Sequence, residues 1–297
     1  MGLALYTVAD EAYVPGVAAL INSARRNGVK GEIHIGSPKP LSIANCQAGL
    51  IFHDMGPSDY WPGNRKAELL LRHGHGRVIF CDADIIIADP TFLPRVETWL
   101  QHAPVFTIES QIPSSDYRRH QWARRLNKPI QPREWPSYYF NSGLFALDMG
   151  RDRALLEEWD ELIRRTLEPP GTICQDIDFP APDQDVLNGI LQDGRDPIPI
   201  GVCPSDIWSP ASACSPFLQF GTFGDSAMLH GTGFVKPWQL KKMPLRGPNP
   251  YDIAWYNEIV IDPICINLKT RLSPMLHDWF RRGRLSRTIG YIQRRLY

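Results

Sequence analysis

The chain has no run of about 18 apolar residues, which rules out a conventional membrane-spanning helix. No G-x-G-x-x-G and no G-x-x-x-x-G-K-[ST] occurs, so dinucleotide sites and P-loops are disfavoured. It carries no net charge, with 32 basic against 32 acidic residues, and so no global field suited to nucleic acid. Six cysteines (46, 81, 174, 203, 214 and 265) include no C-x-x-C and no tight framework, so six reduced thiols in a reducing compartment are expected. The N-terminus lacks a basic n-region, and Asp10 and Glu11 interrupt its apolar run, which argues against a signal peptide. Tyr6 stands where myristoylation would want Ser or Thr. There is no internal repeat and no low-complexity tract.

What is present is an ordinary globular composition, 43% hydrophobic over 297 residues, enough for one large α/β domain or two small ones. The 27 prolines are scattered among aromatics, nine of them tryptophan, a mixture that predicts long shaped loops. Strand-like and helical stretches alternate. Leu3 to Val8 reads as a strand, and Val14 to Asn27 as a helix with Gly28 at its C′ position. Glu32 to Gly36 reads as a second strand and Asn64 to His73 as a helix. Gly74 and Gly76 then lead into a strand ending at Asp82. Tyr138 to Leu147 reads as a further strand, Arg153 to Leu167 as an amphipathic helix ended by Pro169-Pro170, and Gln184 to Leu191 as a short helix entered from Pro182-Asp183. This alternation predicts a mostly parallel sheet with helices on both faces and ligands at the carboxyl ends of its strands, where Asp10, Asp82 and Asp84 fall. The composition changes around Pro248 to Pro250, so we divide the chain into a 1–247 domain and a 248–297 extension.

Two motifs about 150 residues apart read as halves of one metal site: R-V-I-F-C-D-A-D, ending in Asp82 and Asp84, and H-G-T-G-F-V-K-P-W, from His230 to Trp238. Residues i and i+2 of a strand share a face, roughly 6.6 Å apart along it, so the two carboxylates can converge on one ion. With His230 as a nitrogen ligand, the donor set suits a borderline ion such as Mn²⁺ better than Ca²⁺, which prefers oxygen alone. Mg²⁺ is the alternative. Gly231 and Gly233 would let backbone N–H groups approach phosphates, and Lys236 adds a point charge, so the set suits a diphosphate. For each residue there is a plain alternative: solvated acids at a strand end, a surface or core histidine, and Trp238 as core packing.

The two motifs resemble the D-x-D and H-x-x-G-x-x-K-P-W signatures of glycosyltransferase family 8. Between them, F-N-S-G (Phe140 to Gly143) and P-D-Q-D-V-L-N (Pro182 to Asn188) resemble two further family blocks in the expected order, and V-A-D-E-A-Y (Val8 to Tyr13) resembles its uracil-binding turn. The resemblance spans residues 3 to 240. It implies a GT-A, Rossmann-like fold and a retaining hexosyltransferase that moves a hexose from a UDP-sugar to a hydroxyl of a glycan or glycolipid, as in lipopolysaccharide or surface-polysaccharide synthesis. It further implies that Val8, Ala9, Asp10 and Tyr13 hold the base, that Lys66, Asp82, Ala83, Asn141, Ser142, Gly233 and Lys236 contact nucleotide or sugar, and that Asp183 and Gln184 lie beside the reacting sugar. Tyr13 packed on the first helix, Asp10 as a cap acid and Asp183 as a helix cap are the structural alternatives, and Arg65 competes with Lys66 for the inward position. A metal-dependent hydrolase or a non-catalytic nucleotide-sugar-binding module are the competing functions.

Two segments lie outside this set. Ser110 to Trp135 is rich in Arg, Pro and aromatics and reads either as an acceptor-binding lid or as a solvated helix-loop excursion. In the tail, Lys269, Arg271, Arg281, Arg282, Arg284, Arg287, Arg294 and Arg295 stand against one acid, Asp278, while Leu285, Ile289, Ile292 and Leu296 recur at helical spacing behind Trp279 and Phe280. A basic amphipathic helix of this kind suits an anionic membrane surface, and the localisation expected is cytoplasmic, peripheral on the inner face of the membrane. The alternative is a helix docked on its own domain or on a partner subunit.

Overall fold

The computed structural model describes residues 2–43, 49–112, 115–128, 138–169, 181–191, 201–202, 228–233, 235–270 and 272–283. Strands β1 (Ala4–Val8), β2 (Ile33–Ser37), β3 (Leu50–Asp54) and β4 (Arg77–Cys81) pair in parallel about β1. Beyond β4 come β6 (Val105–Gln111), β7 (Tyr138–Asp148) and β8 (Gly201–Val202), giving the order β3-β2-β1-β4-β7-β6-β8. β7 runs antiparallel to both β4 and β6. The expected α/β fold with a mostly parallel sheet is what forms. The continuous apolar run Val78–Cys81 is fully buried because both faces of β4 are covered by helices.

One face carries α1 (Val14–Arg26) and α3 (Phe92–Leu100), and the other carries α2 (Lys66–His73), α5 (Arg153–Thr166) and α6 (Pro182–Leu191). α1 ends where expected, with Gly28 at φ +95°, a left-handed conformation that favours glycine. A second, two-stranded sheet pairs β5 (Ile85–Ile87) with β9 (Met228–His230) in antiparallel register, His230 opposite Ile85. That pairing joins the two motifs.

The described part of residues 248–297 packs into the same core as α1. α7 (Pro250–Tyr256) and a helix over 274–283 bury Tyr251, Trp255, Tyr256, Leu276, Trp279 and Phe280. Asn22, fully buried in α1, donates to the carbonyls of Glu258 and Ile266 and accepts from the amides of Cys265 and Ile266. Trp279 and Phe280 are therefore core residues, while the stripe from Leu285 onward lies outside the described residues. Cys265 is disulfide-bonded, which corrects the expectation of six reduced thiols. Its partner lies outside the described residues, and Cys81 is free and buried. Sequence spacing misses such a bridge because pairing depends on Cα separation in the fold. A disulfide also removes the thiol argument for a reducing compartment. No helix among the described residues is long and apolar enough to cross a membrane.

Within Ser110–Trp135, α4 (Tyr117–Leu126) turns Trp122 fully into the core, where it stacks on Tyr139 and donates to Asp185. Trp122 is thus packing rather than a sugar platform, and Arg119 is buried with it. Trp135 lies outside the described residues.

Candidate functional site

β4 ends at Cys81, and the chain then turns. Asp82 N–H donates to the Gly143 carbonyl at 2.7 Å, and Ile85 N–H donates back to the Asp82 carbonyl at 3.0 Å. The carboxylates of Asp82 and Asp84 converge through this turn, not through the two-residue repeat of a strand as expected from sequence. β5 and β9 then bring His230 alongside, its Nε2 3.2 Å from Asp84 Oδ1. One ligand atom from each of Asp82, Asp84 and His230 lies within 4.8 Å of the others, which is compact enough for a single ion. Two carboxylates with one imidazole are a donor set that could hold a divalent metal ion.

Two glycines make room for this turn. A Cβ on Gly143 would lie 2.6 Å from His230 Cε1 and 2.8 Å from Asp82 Oδ2. A Cβ on Gly16, at the start of α1, would lie 2.5 Å from the Ala83 carbonyl.

Two buried ammonium groups sit on the two carboxylates. Lys66, in the first turn of α2, reaches Asp82 Oδ1 at 3.0 Å, Asp183 Oδ2 at 2.8 Å and the Ser142 hydroxyl at 3.2 Å. Arg65 instead pairs with Glu68 and the Met55 and Gly56 carbonyls, so Lys66 takes the inward position. Lys236 reaches Asp84 Oδ2 at 2.6 Å and donates to the Gly231 carbonyl. Gly233 is half-buried on the segment between them. Burial alone would raise the Asp84 carboxyl, but His230 and Lys236 outweigh it and hold that group well below the usual carboxylate range. Burial prevails at Asp82, whose pKa lies above its ordinary value despite Lys66, with Asp84 adding to the rise. At Lys66 burial favours the neutral amine, yet Asp183 and Asp82 reverse this and raise its pKa. The ammonium of Lys66 is therefore charged at any ordinary pH.

On one side of the carboxylates lies a pocket lined by Val8, Ala9, Asp10 and Tyr13 from the end of β1, by Trp61, Pro62 and Gly63, and by Asp82, Ala83 and Asp84. Asp10 Oδ1 accepts from Ala12 N–H at 3.0 Å, so it caps the Glu11–Tyr13 turn and borders the pocket at once. Tyr13 meets Trp238 edge-on at 5.8 Å, and Trp238 Nε1 donates to the Ala12 carbonyl, which ties the Lys236–Trp238 segment to this turn. Sequence reasoning misses Trp61, because a lone tryptophan in a Pro- and Gly-rich loop carries no periodic signal.

On the other side, β7 and the first turn of α6 present polar groups. The Ser142 hydroxyl donates to Asp183 Oδ2 at 2.7 Å, and Ser142 N–H donates to Gln184 Oε1 at 3.1 Å. Glu109, on β6, accepts from Gln184 Nε2 at 2.8 Å and from Asn141 Nδ2 at 2.9 Å. The Gln184 carboxamide is thus fixed at both ends. Glu109 is missed as well, since it stands in a strand with no motif around it and reaches the site through β6–β7 pairing.

Among solved structures, this fold is similar to that of the galactosyltransferase LgtC in complex with donor and acceptor sugar analogs. The two are 16% identical with a TM-score of 0.54, over 80% of this chain and 89% of that one. The glycosyltransferase GlyE of Streptococcus pneumoniae is 12% identical with a TM-score of 0.56, over 95% and 64%. The bifunctional glycosyltransferase WbbM is 14% identical with a TM-score of 0.54, over 88% and 50%. At these identities the likeness establishes a shared fold. No protein-family model matches the sequence, and no curated protein matches it.

Proposed function

We propose that the protein is a retaining hexosyltransferase, moving a hexose from a UDP-sugar to a hydroxyl of a glycan or glycolipid acceptor in α-linkage, with Mn²⁺ as its cation. The observation that carries this reading is the order of parts across one site: an aromatic-walled pocket at Tyr13 and Trp61, then the Asp82, Asp84 and His230 set with Lys236, then the polar shelf of Asp183, Gln184, Asn141 and Ser142. That is the order of base, diphosphate and sugar in a nucleotide-sugar.

In this reading Tyr13 and Asp10 hold the uracil, with Val8 and Ala9 along its edge. Asp183 and Asn141 pair with sugar hydroxyls, which need both donors and acceptors. A bound divalent ion would offset the charge that develops on the leaving diphosphate. Lys236 would add a second positive charge at the same end once the diphosphate is bound. Gln184 is an amide and cannot serve as a carboxylate nucleophile, so same-face attack is the simpler route. The bond from the anomeric carbon to the diphosphate oxygen breaks as the acceptor oxygen bonds on the same face, and the acceptor proton passes to the departing phosphate oxygen. The membrane-surface reading of the tail, with its cytoplasmic inner-face location, rests on sequence alone, and salt-sensitive binding to anionic vesicles tests it.

A panel of UDP-sugars incubated with Mn²⁺ and candidate glycans, read by UDP release and by NMR of the anomeric proton, tests the function. Acceptor-dependent UDP release with an α-linked product is expected. Release at the same rate without any acceptor would favour a hydrolase, and nucleotide-sugar binding without turnover would favour a non-catalytic module.

A further inference from the structure

Three carboxylates, Asp82, Asp84 and Asp183, meet two ammonium groups in this site, and the partners divide by side. Lys66 lies between Asp82 and Asp183, on the flank of the polar shelf. Lys236 lies on Asp84, with its Nζ 5.9 Å from the centre of the Tyr13 ring, on the flank of the nucleotide pocket. Its ammonium takes Asp84 Oδ2, an oxygen that a cation would also use. Both groups are buried, Lys236 at 6% and Asp84 at 7% exposure, so water contributes little screening.

We propose that Lys236 is a resident competitor of the divalent cation for Asp84, and that the diphosphate of an incoming nucleotide draws its ammonium off that carboxylate. This rests on the nucleotide-sugar reading above and adds to it a positioning role for Lys236. A cation arriving alone meets an ammonium already on Asp84 and is repelled by it. A diphosphate arriving on the Tyr13 side offers the lysine a better-charged partner and frees Asp84 Oδ2. Cation and nucleotide diphosphate therefore bind with positive coupling, and that coupling is reciprocal. The Gly231 carbonyl, which accepts from the same ammonium, lies at the start of the segment leading to Lys236, so the side chain shifts without unpairing β5 and β9.

Mn²⁺ binding is measured by the loss of the free-ion paramagnetic resonance signal, with and without UDP, for the intact chain and for Lys236→Met and Lys236→Gln. Without UDP, both variants are expected to bind Mn²⁺ more tightly than the wild type by about tenfold or more, since a like charge has been removed from a buried site. In the variants UDP should bind more weakly, and its enhancement of Mn²⁺ affinity should shrink. Equal or weaker binding of Mn²⁺ alone by folded variants would overturn the proposal. So would a wild type whose Mn²⁺ affinity is unchanged by UDP, a measurement that needs no variant. If the wild type binds no Mn²⁺ even with saturating UDP, the nucleotide-sugar reading itself fails, an outcome distinct from the other two.

Discussion

Replacing Lys66 with methionine tests whether the inner charge network is as tightly balanced as its geometry implies. Lys66 is 3% exposed, and its ammonium holds Asp82, Asp183 and Ser142 together within 3.2 Å. Methionine fills similar volume, so packing changes little, but two carboxylates lose their shared counter-charge. Breaking a buried ion pair by removing one partner costs about 3–5 kcal/mol, because the charge left behind is uncompensated. The loss should depend on pH in a definite direction. Burial already raises the Asp82 carboxyl above its ordinary value, and Lys66 is the main group opposing that rise. Without Lys66 the folded-state pKa climbs further above the unfolded one, so the folded variant binds more protons than the unfolded chain, and its stability falls as pH rises through that pKa. Urea unfolding at pH 7.5 and pH 5 should show the variant's deficit, full at the higher pH, shrinking at the lower. Lys66→Met/Asp183→Asn should recover part of it at pH 7.5. A deficit below about 1 kcal/mol, the range of an exposed pair, with no change between the two pH values would refute the argument.

Asp84→Asn should abolish Mn²⁺-dependent UDP binding by calorimetry, since an amide loses both charge and donor strength while Lys236 and His230 lose their shared anion. Gln184→Ala should lower kcat by more than it weakens UDP affinity, because the carboxamide is anchored on the polar shelf between Ser142 N–H and Glu109 rather than in the pocket at Tyr13 and Trp61. Unchanged kcat with poor UDP binding would refute that assignment. At the far edge of the sheet, burial and the neighbouring His73 and His34 push the His53 pKa down from 6.5 to about 4. The unfolded chain therefore takes up protons first, and the melting temperature should fall as pH drops from 6.5 towards 4, less steeply in His53→Gln.

Elements whose residues repeat a local pattern were legible in the sequence. α1, α5 and α6 formed within two residues of their expected limits, because apolar spacing, Gly28 and the Pro182-Asp183 entry are all local signals. The direction of β7 was not legible, since alternation along a strand says nothing about which way its neighbour runs. β5 and β9 are three residues each, too short for any periodicity, yet their pairing sets His230 beside Asp84. The motifs name the right partners for Asp84, but the Asp82–Asp84 geometry differs from the expected one, because a turn, unlike a strand, leaves no two-residue signature. Glu109 and Trp61 carry no motif, so only the fold brings them to the site.

The local pattern of the segment after Pro248 suggested a surface helix, and the structure shows how its described part bears on the site. Trp255 Nε1 donates to the Pro15 carbonyl at the start of α1, and the Tyr251 ring lies so close to Gly231 that a Cβ there would come within 2.6 Å of it. The same segment thus braces both the first turn of α1 and the start of the stretch that carries Lys236. Neither contact follows a repeat or a motif, because each joins residues more than 15 apart in sequence through one ring or one carbonyl. Nor could the distribution of charge reveal it, since basic residues such as Lys269, Arg281 and Arg282, all exposed here, reach water equally well whether the apolar ones face lipid or protein. Trp279 and Phe280 face protein: Phe280 stacks on Tyr256 and packs tilted against Trp255, and Trp279 meets Phe280 edge-on. Among the described residues, then, Trp279 and Phe280 belong to the core that supports α1 and Gly231, and the membrane reading rests on the sequence beyond them.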